Sequence, residues 1–247
     1  LDHDGPLIVN AQAGNVNAGA FDPIDAIADA VVERRSERDD VWLHVDGAFG
    51  LWVRASSRRA ALAAGAERAD SWACDAHKWL NTPYDCGISI VADRAVLAAA
   101  VGVRAAYLPS VGEVDDPTDR VLEFSRRARG VPVWAALRSL GRSGVERLVD
   151  GACDAAEALV AAIESIDGLR VRGQGINQVV VEAVGSAGES DPDRTSAVLA
   201  AVAADGRCYP SGTVWQGRPG IRLSVSNWRT DLDDVEVIAA AFADAVR

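Results

Sequence analysis

The stretch VWLHVDGAFG, residues 41–50, and the stretch SWACDAHKWL, residues 71–80, decide how the chain folds. Each begins as a short apolar run and ends in a polar turn: Asp46 follows VWLHV, and Asp75-Ala76-His77-Lys78 follows SWAC. Ligands of open α/β sheets gather beyond the carboxyl ends of the strands, so the two runs bring a carboxylate and a His-Lys pair to one sheet edge. Outward from them, 7–9 and 87–91 read as further strands and 93–101 as a helix. Asp22 supplies a helix N-cap, Pro23 the first helical position and Asp25 an acid in the first turn, while Ile24, Ile27, Ala28, Val31 and Val32 recur at helical spacing to about Arg38. Short apolar runs alternating with a periodic segment predict a parallel α/β sheet.

Residues 102–130 hold Pro109, Gly112, Pro117 and a basic cluster of Arg126, Arg127 and Arg129, and a loop of that length is usually functional or mobile. From Pro132 a helical pattern runs to about Ser165 with a break at 141–144. A strand at 177–184, a helix at 192–204, a strand at 221–225 and a closing helix at 232–246 then predict a second, smaller α/β unit. The expected division is 1–105, a large-sheet portion; 106–131, a mobile loop and connector; and 132–247, the small domain.

The 247 residues, 49% of them apolar, are enough for a large core. A net charge of −11 disfavours nucleic acid and anionic lipid as partners. No stretch approaches the roughly 20 apolar residues of a membrane helix, and residues 1–10 lack the basic start of a secretory signal. Cys74, Cys86, Cys153 and Cys208 form no C-x-x-C pair and are expected as free thiols in a reducing cytoplasm. Three scattered histidines and isolated cysteines offer no metal-ligand spacing, so no metal is expected. The chain contains no Met, and Leu1 is read as the start of a fragment.

Lys78 is the only lysine among 25 basic residues. Arginine holds a charge equally well but cannot form a Schiff base, so a lone lysine in an arginine-rich chain points to a need for its amine. A lysine held out of water beside a histidine yields its proton more readily and can attack an aldehyde; the alternative is a surface turn with Lys78 lying over Trp79. Asp46 precedes Gly47-Ala48-Phe49-Gly50, small residues that would let a flat ligand approach, and its carboxylate either caps the next turn or faces a protonated ring nitrogen. Their separation, one strand-connection-strand unit, favours a pyridoxal-phosphate site.

The words HVDGAFG, DSWACDAHKWLN, PYDCG and SVSNW resemble the group II pyridoxal-phosphate-dependent amino-acid decarboxylases, which include the glutamate and aromatic-amino-acid enzymes. The resemblance implies the fold-type I, aspartate-aminotransferase-like α/β architecture, part of its large mostly parallel sheet domain plus the small C-terminal domain. It implies that Asp46 pairs with the pyridine nitrogen, Ala48 packs on a ring face, His77 helps hold the phosphate and Lys78 carries the cofactor as an internal aldimine. Asp75 fills a position near the phosphate where many relatives have Asn. In AQAGNVNAGAFDP, residues 11–23, Asn15 and Val16 replace the family's threonines, and Asn15 is expected to reach the cofactor or substrate. Tyr107 falls on the family's mobile loop and would reprotonate the substrate carbon after carbon dioxide leaves. Arg129 is expected to support structure, and His44 shares a strand face with Asp46 as a packing residue. The family's upstream phosphate turn and ring-stacking histidine have no counterpart in these residues, so the chain resembles the C-terminal half of a cytoplasmic, homodimeric enzyme acting on an amino acid. Rival expectations are aldehyde synthesis or transamination on the same cofactor, or a noncatalytic fragment.

Overall fold

A computed structural model describes residues 3–102, 117–123 and 125–247. Tyr107 lies outside them. Two four-stranded sheets are joined by one long helix. The first sheet has β1 (Leu7–Gln12), β2 (Val41–Asp46), β3 (Ser71–Asp75) and β4 (Gly87–Val91) side by side in chain order. β1, β2 and β3 run parallel, but β4 is antiparallel to β3, which departs from an all-parallel reading. The connection between β3 and β4 is a compact turn, too short for the helical crossover that a parallel neighbour requires.

Ala11, Leu43 and Val45 point to one face and are closed over by Ile24, Ala28 and Val31 of α1 (Ile24–Glu37) and by Val149 and Cys153 of α3 (Gly130–Glu164). α1 starts one residue later than its sequence suggests, with Pro23 at the cap position and no side-chain cap. Asp22 is spent elsewhere: its carboxylate accepts the Gln12 N–H at 2.8 Å and ties the helix entry to the end of β1. α2 spans Arg94–Val101, and the Asp93 side chain caps it through the Ala95 N–H.

α3 is interrupted at Gly141, whose φ of 61° and ψ of −178° lie outside helical space, at the predicted break. Beyond it, Val149 and Cys153 pack under the first sheet, while Ala155, Ala156, Leu159 and Ile163 enter a second core. That core belongs to an antiparallel sheet in the order β5 (Leu169–Gly175), β6 (Gln178–Ala183), β8 (Arg218–Ser224), β7 (Ser211–Trp215). α4 (Pro192–Asp205) and α5 (Leu232–Val246) complete it through Val198, Val202, Val235 and Phe242. β5 and β7 were not expected from the sequence. The two sheets meet where the 13–19 turn after β1 lies against the end of β5: a Cβ added to Gly19, at φ 64°, would fall 2.0 Å from the Gly175 carbonyl oxygen.

Candidate functional site

The carboxyl ends of β1, β2 and β3 deliver Gln12, Asp46 and Asp75. Gln12 pairs in register with Asp46 and Asp46 with Ala73, two residues before Asp75, so all three side chains share one face. The Asp46 carboxylate accepts the Ala48 N–H at 3.1 Å on Oδ1 and the Gln12 amide at 3.4 Å on Oδ2. Gln12 in turn accepts from the Asn15 amide at 3.4 Å. The side-chain oxygen of Asn15 is occupied within its own turn by the Asn17 and Ala18 N–H groups at 2.8 and 3.2 Å. His44, on the same face, holds the Ser71 hydroxyl at 2.7 Å.

Lys78 Nζ lies 2.9 Å from Asp75 Oδ2 and 4.3 Å above the centre of the Phe49 ring. The amine is therefore ion-paired and partly open to solvent, not the water-excluded group its turn suggested, and Phe49 rather than Trp79 lies beneath it. Trp79 is buried in the first core. Asp75 also stands 3.5 Å from His77 Nε2. His77 Nδ1 is 3.1 Å from both the N–H nitrogen and the carbonyl oxygen of Cys86, and Tyr84 stacks on its ring at 4.2 Å between centroids. The 84–86 segment is clamped from the connector: Arg127 donates to the Tyr84 carbonyl at 3.0 Å, and Arg129 forks onto the Asp85 carboxylate at 2.9 and 3.2 Å. The Arg129 hydrogen bond holds the Asp85 carboxyl below the ordinary carboxylate range.

Gly47 and Gly50 also serve the packing of this turn: a Cβ on Gly47 would meet Leu51 and the Ala73 carbonyl, and one on Gly50 would meet the Ala13 carbonyl and Phe21.

Lys78, His77, Phe49 and Asn81 line a cleft of about 480 Å³ whose other wall is Arg222, Ser224, Ser226 and Asn227. Ser224 is anchored by a 2.6 Å hydrogen bond to the fully buried Gln178. Arg222 donates to the Ser211 hydroxyl at 3.2 Å and to the Val16 carbonyl at 3.5 Å. Asp46 and Asn15 stand behind the cleft rather than in its lining. Sequence reasoning passed over Gln12, Asn81 and Arg222. SVSNW drew attention to the second wall, but nothing distinguished Arg222 from the many other arginines.

A sheet edge that presents a carboxylate at one strand end and a lone lysine at the next, facing a polar wall from a second sheet, defines a class of α/β enzymes built around an aldehyde cofactor. The comparisons narrow the class. The pyridoxal-dependent decarboxylase conserved domain matches residues 2–172, and the chain belongs to that family. It is 31% identical over 248 aligned positions to the L-2,4-diaminobutyrate decarboxylase of Rhizobium meliloti, covering 98% of this chain and 49% of that protein. Against human cysteine sulfinic acid decarboxylase it is 33% identical over 171 positions, 67% of this chain and 34% of that protein. A crystal structure of mouse CSAD superposes with a TM-score of 0.85 at 25% identity, over 98% of this chain and 52% of the other. The fold is therefore that of fold-type I enzymes, and the chain spans about half the length of the curated relatives it matches. No helix among the described residues is long and apolar enough to cross a membrane.

The donor set suits the family's cofactor. Asp46 accepts two hydrogen bonds, and a carboxylate has lone pairs to spare for a ring N–H. Lys78 offers the one lysine amine, and His77 is held rigidly beside it.

Proposed function

We propose that the protein carrying this chain decarboxylates an L-amino acid with pyridoxal phosphate. The observation that carries the reading is the position of Lys78, at the carboxyl end of β3 and in one cleft with Arg222, with Asp46 on the same sheet face. Bound there, pyridoxal phosphate would supply an aldehyde for an amine and an electron-poor ring that accepts the pair released when a carboxylate leaves as carbon dioxide.

The chain's own groups divide the remaining work. Asp46, steadied by Ala48 and Gln12, would hold a proton on a ring nitrogen. Asp75 holds the Lys78 ammonium in place, so that the amine stands ready when its proton is removed. His77, pinned by Cys86 and covered by Tyr84, presents Nε2 on the side of Asp75, where a phosphate would need donors. Ala48 would pack on a face of the ring. Asn15 acts through Gln12 on Asp46, a supporting role rather than direct contact. Arg222, oriented by Ser211 and Val16, has further N–H donors for a substrate carboxylate. Tyr107, on the 106–131 connector, returns a proton to the substrate carbon.

We assign 1–105 to the cofactor-sheet unit and 132–247 to the small unit, with Val145, Val149 and Cys153 of α3 packing back on the first. A homodimer in the cytoplasm completes the proposal; the four free cysteines suit a reducing compartment.

Borohydride reduction of the protein loaded with pyridoxal phosphate should fix a pyridoxyl group on Lys78, and amino-acid turnover should release carbon dioxide and an amine. A label at any other site, or none, overturns the assignment.

A further inference from the structure

Asn81 sits three residues after the lysine, in a left-handed conformation at φ 52° that asparagine tolerates better than most residues. Its carboxamide joins the two walls of the cleft. Nδ2 donates to the carbonyls of Lys78 at 3.2 Å and Trp79 at 2.9 Å on its own turn, and to the Ser226 carbonyl at 2.9 Å across the cleft. Oδ1 accepts the Trp228 N–H at 3.2 Å. One side chain thus holds the turn that carries Lys78 and the 226–228 loop that follows β8.

The two sheets have a second connection, through the 13–19 turn. Thr213 donates to the Asn17 side-chain oxygen at 2.6 Å, and Gly19 packs on Gly175 with no room for a Cβ. Cutting one connection therefore leaves the other, and the units stay together.

We infer that Asn81 is a positioning residue: its carboxamide sets the spacing between the Lys78 amine and the opposite wall formed by Arg222, Ser224 and Asn227. The catalytic consequence rests on the function proposed above; the structural coupling does not. A substrate held by the far wall and attacked from the near one needs that spacing kept, since a displacement of about an ångström costs up to about 10²-fold in rate.

Three variants in the protein separate the carboxamide from the backbone. Asn81→Gly deletes the carboxamide and keeps the left-handed backbone free of strain. Asn81→Ala deletes it and adds strain. Asn81→Asp keeps an acceptor for Trp228 but turns a carboxylate toward three carbonyls. The coupling predicts that Asn81→Gly raises amide hydrogen exchange on the order of tenfold in 78–82 and 224–228 together, leaving β6 unchanged. The thermal midpoint should stay near that of the parent, and acylation of Lys78, the chain's only lysine, should change in rate. kcat/KM should fall on the order of tenfold or more with Gly as with Ala and Asp.

An Asn81→Gly protein that matches the parent in exchange and kinetics overturns the inference, because backbone conformation alone would then be what Asn81 provides. Exchange rising throughout the chain with a collapsed thermal midpoint also overturns it, since the residue would then be a general prop. Coupled exchange in the two segments, in a protein that turns over no amino acid, supports the latch and counts against the proposed reaction instead.

Discussion

Cys74 and Lys78 stand four residues apart near one strand end, and burial decides the chemistry of the first. Burial pushes the Cys74 thiol up to about 12, with the neighbouring Asp75 charge adding to the effect. Cys153, under the first sheet, is likewise pushed up to about 12 by burial. A thiol is reactive only as the thiolate, so neither should react with iodoacetamide in the native protein at pH 8, whereas both should react after unfolding. Labelling of either at a rate near that of a free thiol would contradict the packing described here. The same shift has a stability sign. Between the ordinary thiol value of 9.0 and about 12 the unfolded chain loses these protons while the folded one keeps them, so stability should decline as pH rises through that window. At Tyr107 the expectation is kinetic: Tyr107→Phe should still release carbon dioxide or divert toward oxidised products, while amine formation falls by about 10² to 10⁴, as for a lost general acid. An unchanged amine yield would remove Tyr107 from the reaction. Asp46 was legible because a strand pattern ended on it, and Lys78 because it is the lone lysine in the turn that follows the next strand. Gln12, Asn81 and Arg222 were not, since a polar residue closing a strand, an asparagine in a turn and one arginine among many look ordinary until another element is placed opposite them.

At the scale of elements, the loop between β2 and β3 is fastened to α3 by charge. Arg59, with its side chain only 9% exposed, reaches Asp150 and Asp154 at 2.6 Å and Glu157 at 2.9 Å. Arg58 forks onto Asp154 at 2.8 and 2.9 Å, and the Ser57 N–H donates to Glu146 at 2.8 Å. Arg59→Met keeps the stem's packing and removes the head. It should lower the unfolding free energy by about 3 kcal/mol, the low end for a broken buried pair, because Asp154 and Glu157 left behind are partly exposed. Arg58 holds the Asp154 carboxyl below its ordinary 3.8, and Ser57 holds Glu146 below its ordinary 4.5. Depressed carboxyls contribute stability above their unfolded values and lose it as pH falls through the folded ones. Denaturant midpoints should therefore drop on acidification below about pH 4, and the drop should be shallower in Asp154→Asn; an identical acid profile in that variant would refute the account. The helices and the buried strands were legible in the sequence, down to the break at Gly141. β5 was not: in Leu169–Gly175 the two arginines and two glycines hide an alternation whose arginines serve the buried Glu182. Arg170 donates to Glu182, Arg172 lies 3.4 Å from its other oxygen, and Ser190 donates at 2.8 Å. β7 is a short edge strand with too few apolar residues to declare itself. The antiparallel turn of β4 was equally hidden, because direction is set by connection length and not by the strand's own composition.

For the molecule as a whole, the distribution of covered and uncovered surface decides what these 247 residues can do alone. Among the described residues, the first sheet is closed by α1 and α3 on one face only. On the other, Ile8 is 73% exposed, while Trp42, His44 and Ala73 are half-buried. Its outer strands, β1 and β4, each pair on a single side among the described residues, and unpaired strand edges recruit other chains. The curated relatives devote about twice this length to the same architecture. The site faces the same limit. Asp46 and Lys78 are in place to hold a ring and an aldehyde, but a phosphate dianion needs several donors, and holding one without them in a partly closed site is costly. Near the lysine the described cleft offers His77, Asn81, the hydroxyls of the far wall and Arg222; Asn81 already spends its amide on three carbonyls, and the proposed reaction gives Arg222 to the substrate carboxylate. A polypeptide of only these residues should therefore bind pyridoxal phosphate weakly, show no decarboxylase turnover and associate as its concentration rises. Sedimentation velocity across a concentration series, with a spectroscopic titration of the cofactor on the same preparation, tests both halves. A monodisperse monomer with tight, stoichiometric binding at Lys78 would mean that the uncovered face is stable in water and that the phosphate is held by donors within this chain, and Arg222 would be the first to substitute.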